Sequence, residues 1–147
     1  MKILNQQIFE NKEAAALPGL MESGGLPALV SGLSGIHRVN LAAALYERLE
    51  LPMFVVCPDD SAAESFTRDL ESMLGRPVNT LYSRDFTFYP SLAASREAEQ
   101  KRLAVLNALR CGESPVTVAT VSALMQRAIP PQTLGKAAFT VKDGEPC

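Results

Sequence analysis

The feature that most constrains this chain is an alternation. Short apolar runs at residues 26–32 (LPALVSG), 52–58 (PMFVVCP), 78–83 (VNTLYS) and 114–122 (SPVTVATVS) are separated by stretches of helical periodicity. The clearest helical stretch is 61–75, where Ala63, Phe66, Leu70, Met73 and Leu74 fall on one face. Ser61 and Glu64 have the spacing of a capping box, and Gly75 with Pro77 marks the end. Residues 40–50 predict a second helix, with Leu41, Ala44, Leu45 and Leu49 inward. Residues 96–112 predict a third, with Leu103, Leu106 and Leu109 inward. Strands alternating with helices of about a dozen residues specify βαβ units. The expected fold is α/β, a parallel β-sheet with helices on both faces. The uncharged run at 52–58 reads as a parallel strand buried on both faces.

The remaining segments are less regular. Residues 3–17 suit a short helix with Leu4, Ile8 and Ala15 on one side, and PGLMESGGLP after it reads as a loop. Residues 84–95 form an aromatic loop, and a short helix from Ser122 is expected to stop at Pro130-Pro131. KAAFTVKDGEPC reads as a strand entering a turn, which is expected of a piece of a longer protein.

Composition removes several function classes. The formal net charge is −2, so no global field favours DNA or an acidic membrane. No apolar run reaches the roughly 20 residues of a membrane-spanning helix. The first twenty residues are too polar and acidic for a signal peptide. Cys57, Cys111 and Cys147 form no CxxC pair, and a single histidine excludes a histidine-rich metal site. Cys57 and Cys111 read as reduced thiols, and the expected location is cytoplasmic.

The passage from 29 to 45, LVSGLSGIHRVNLAAAL, has the layout strand, glycine turn, helix. That is how a phosphate-binding loop is built. A working loop reads G-x-x-x-x-G-K-[ST]. Aligned from Gly32, this chain has Gly32, Ser34 and Gly35, then His37 for the second required glycine, Arg38 for the lysine and Val39 for the hydroxyl. A bulky residue at the glycine crowds the cradle of N–H groups. The arginine fork has a different reach from a compact ammonium. Valine cannot ligate Mg²⁺, and the following Asn40 supplies no hydroxyl. An acidic residue at a strand end is also needed to help hold the metal. Only Asp59 and Asp60 are candidates, and VTVATVS ends without an acid. The expected reading of Gly32 and Gly35 is therefore a tight strand-to-helix turn, with no catalytic, cofactor or metal residue to assign. Gly32-x-x-Gly35 does not match a dinucleotide fingerprint either.

Four segments in order, SGLSGIHRVNLAAAL, FVVCPDDSAAESFTRDL, LYSRDFTFYPSLAASREAEQKRLAVLNAL and VTVATVSALMQRAIPP, carry a resemblance. Over residues 26–142 the chain resembles the N-terminal, UvrB-like module of the bacterial transcription-repair coupling factors. The resemblance implies a P-loop-NTPase-like fold, akin to the first domain of UvrB, with a degenerate phosphate loop. It implies an N-terminal helix and loop at 1–25, the α/β domain at 26–135, and at 136–147 the truncated start of a UvrA-binding type domain. The parent is then an ATP-dependent DNA translocase that displaces stalled RNA polymerase and recruits UvrA. ATP and Mg²⁺ belong to its later motor domains, and none is expected in this piece. UvrA contact is expected to be weak or through the neighbouring domain. RNA polymerase and double-stranded DNA are expected to engage other domains, and no membrane is implied. UvrB's strand-clamping hairpin does not fit in PSLAA between Tyr89 and Ser95, so Phe86, Phe88 and Tyr89 read as packing or loop contacts. Arg96, Lys101, Arg102 and Arg110 read as a solvated helix face.

Other classes make different demands. A nucleotide-binding, helicase-like domain requires Mg-ATP binding despite Val39. A Rossmann-like small-molecule binder would use Asp59 or Asp60 on a ribose. A plain interaction module binds no small molecule. If strands beyond residue 147 complete the sheet, an open edge and self-association are expected.

Overall fold

The structure, a computed structural model, describes residues 7–25, 27–83 and 96–138. After a 3-10 turn at Ile8–Glu10, the elements are α1 (Lys12–Glu22), α2 (Gly35–Leu49), β1 (Met53–Cys57), α3 (Asp60–Leu74), β2 (Asn79–Leu81), α4 (Arg96–Cys111), β3 (Val116–Thr120), α5 (Val121–Met125) and α6 (Pro131–Ala137). The sheet is parallel, with order β1-β3-β2. Val55 pairs with Val118, and Thr80 pairs with Val118 from the other side.

β3 is the strand buried on both faces; all its residues are buried. Val116 and Val118 face α2 and α3, in a core with Val39, Ala43, Cys57, Ala63 and Leu70. Ala119 faces the other way, in a second core with Leu81, Val105 of α4 and Ala123 of α5. The crossover from β1 to β2 passes β3 on the α3 side, and the return from β2 to β3 uses α4 on the opposite side. Right-handed crossovers require this change of face when the direction reverses.

Several sequence expectations are corrected. Residues 27–34 form neither strand nor helix, so the first expected strand is missing. Leu29 is 95% exposed and Val30 45%. Residues 30–33 instead flank a shallow cleft against Leu41, Ala42 and Leu45 of α2. The run at 52–58 is not buried on both faces. β1 is an edge strand, with Phe54 47% and Val56 52% exposed, because α4 and α5 cover β2 and β3 but not β1.

The loop expected from Pro18 begins later. α1 runs through Pro18 to Glu22, started by Asn11, whose side chain accepts from the Glu13 N–H. The break falls at Gly24, whose φ of 75° lies in the left-handed region. The second expected helix begins earlier, at Gly35. α3 is capped by Asp59 rather than by a Ser61–Glu64 box, since the Asp59 carboxylate already accepts from Ala62 N–H at 2.8 Å. α5 ends at Met125, and the prolines open α6, where Pro131 gives up an N–H that has no intrahelical partner. Leu4 and the aromatics Phe86, Phe88 and Tyr89 lie outside the described residues, as does Cys147.

Candidate functional site

In a parallel α/β sheet, functional groups gather at the carboxyl ends of the strands. Here that rim holds the turn into α2, the β1–α3 turn, the end of β2 and the β3–α5 turn. Gly32 sits at φ 78°, the left-handed conformation that lets the chain turn toward α2. Gly35 needs no such freedom; it is the first helical residue, and a Cβ there meets open space.

Side chains at this turn interact with one another. Ser34 is the N-cap residue by position, yet its side chain makes no capping bond. Its Oγ pairs with His37 Nδ1 at 2.8 Å. Arg38 folds back, and its Nε donates to the Leu33 carbonyl at 3.1 Å. The position that would hold a metal-binding hydroxyl is decisive. Val39 is 2% exposed and packs into the core with Cys57, Ala63 and Val118. Its side chain belongs to the interior and not to the loop.

Between the start of α2, β1 and α3 lies a cleft of about 520 Å³. Ile36, Val55, Val56 and Phe66 make it largely apolar, with Arg38 and Asp69 as its charged residues. Neither candidate acid at the rim is idle. Asp59 caps α3, and Asp60 accepts from Ser83 Oγ at 2.9 Å. At the end of β3 the Thr120 hydroxyl caps α5, accepting from Ala123 N–H at 3.1 Å. Among the described residues no group of His, Cys, Asp or Glu is arranged to hold a metal. Cys57, buried at the end of β1, has its thiol pKa raised by burial and secondarily by the Asp59 charge. Cys57 and Cys111 are both free thiols.

Arg102 is the residue that sequence reasoning missed. It was grouped with a solvated face, but it is 5% exposed. Its guanidinium donates to the Tyr82 carbonyl at 2.8 Å and the Ala123 carbonyl at 3.0 Å, joining the end of β2 to α5. The apolar face of α4 at Val105 and Leu109 gave the only signal, since Arg102 lies three residues from Val105. Lys101 does match the solvated reading. It pairs with Glu97 at 2.8 Å with both side chains about 70% exposed. That hydrogen bond and charge lower the Glu97 pKa and raise that of Lys101.

Comparison with known proteins gives one informative relative. The chain is 32% identical over 135 residues to the transcription-repair-coupling factor of Bacillus subtilis (strain 168), which covers 88% of this chain. The chain spans 11% of that relative's length. No protein-family model matches, and no solved structure matches.

Proposed function

Taking as premise that this chain is a relative of the transcription-repair-coupling factors over most of its own length, we propose that it is a non-catalytic scaffold module within such a protein. The observation that carries this reading is Val39, a core residue where a phosphate loop needs a metal-binding hydroxyl. Ser34, His37 and Arg38 bond to each other and to the loop's own backbone. A degenerate, UvrB-like nucleotide fold then serves to position neighbouring domains. In this proposal the whole protein is an ATP-dependent DNA translocase acting on stalled RNA polymerase. UvrA is met through the neighbouring domain, with at most a weak contribution from this one. ATP and Mg²⁺ act in other domains.

A thermal-shift series separates the readings, because a ligand that binds the folded state raises its melting temperature by mass action. The scaffold reading expects no shift with ATP, NAD(P) or S-adenosylmethionine at millimolar concentration. A saturable, Mg²⁺-dependent shift with ATP would point to a helicase-like nucleotide domain. A Mg²⁺-independent shift with NAD(P) or S-adenosylmethionine would point to a Rossmann-like binder.

A further inference from the structure

The chain contains an unpaired strand edge and an unpaired strand-like segment. The edge is β1. Met53 N–H donates to the Pro115 carbonyl beside β3, so alternation directs the N–H and C=O of Phe54 and Val56 outward. No charged residue guards this edge, whose sequence is MFVVC. The segment is Ala28–Leu29–Val30–Ser31, extended in composition, uncharged, and without regular structure. It lies between Gly24-Gly25 and Gly32, and both Gly24 and Gly32 have left-handed backbones.

We propose that residues 28–31 of one copy add as a fourth strand to the β1 edge of a second copy, reciprocally, in a strand-exchanged dimer. Within one chain, residues 30–33 lie along α2 at Leu41, Ala42 and Leu45, and the segment is not paired with its own β1. Donor and acceptor are both uncharged, and each copy has a net charge of only −2, so repulsion between copies is small. Side-chain alternation then places Leu29 on one sheet face, with Ala28 and Val30 on the other. One face meets the exposed Phe54 and Val56, and the other meets the apolar cleft between α2 and α3.

Sedimentation velocity over a rising concentration series tests this. The wild-type chain is expected to pass from monomer to dimer. Val56→Pro removes an outward N–H that edge strands can lose without unfolding. Leu29→Asp disables the donor. Each variant alone is expected to weaken dimerisation at least about tenfold. Mixed, they restore a heterodimer, because one intact donor meets one intact edge. Circular dichroism verifies folding, and Val56→Lys replaces the proline variant if it is unfolded. A wild-type chain that stays monomeric overturns the proposal. So does a dimer unaffected by Leu29→Asp, which would indicate edge-to-edge β1 pairing, and so does failure of the mixed variants to associate.

Discussion

Val39 shows how one position decides between two chemistries. The comparison with a phosphate-loop pattern identified it as a lost hydroxyl, and the structure shows what the valine does instead. Val39→Thr restores the hydroxyl but buries it among Cys57, Ala63 and Val118. Chemical denaturation is expected to show a loss of about 1–3 kcal/mol, the cost of a buried hydroxyl without a partner, with no gain of Mg-ATP binding. The cysteines offer a second test at this scale. Burial raises the Cys57 pKa, while Cys111 is exposed. Iodoacetamide is expected to modify Cys111 first across the alkaline range. Because the raised thiol holds its proton in the folded state, its stabilising share is complete below the ordinary thiol pKa. It is lost as pH rises through the folded value. Preferential labelling of Cys57 would contradict its placement.

At the scale of elements, helices were more legible than their ends. The periodicity at 61–75 identified α3 and its buried Ala63 and Leu70, because the helical repeat records one buried face. Its start was misread because Asp59 and Ser61 are both good caps, and only backbone geometry selects between them. Asp59→Ala is expected to cost about 1 kcal/mol, and Ser61→Ala within about 0.5 kcal/mol, by thermal or urea unfolding. An equal or larger loss at Ser61 would reinstate the capping box. The apolar runs were harder to rank. PMFVVCP and VTVATVS have similar composition, but only the second is central, because burial depends on which strands and helices flank it. Residues 26–32 have strand composition and no strand partner in the chain, which local sequence does not encode.

At the scale of the molecule, the two cores are linked by Arg102, which spans from α4 to the end of β2 and to α5. Arg102→Ala is expected to destabilise the fold by about 2–3 kcal/mol, since it leaves buried carbonyls without donors. Arg102→Lys should recover only part, as an ammonium lacks the planar fork that reaches two carbonyls. A loss below about 0.5 kcal/mol, typical of surface sites, would return Arg102 to the solvated face. The candidate site was legible as a departure from a motif at His37, Arg38 and Val39. How those residues are occupied required the fold. The central claim is that this rim, though arranged like a nucleotide site, does not hold a nucleotide. Its most direct test is calorimetric titration of the chain with Mg-ATP. The account predicts no binding heat at millimolar ligand. Saturable binding near micromolar, about −8 kcal/mol, would contradict it.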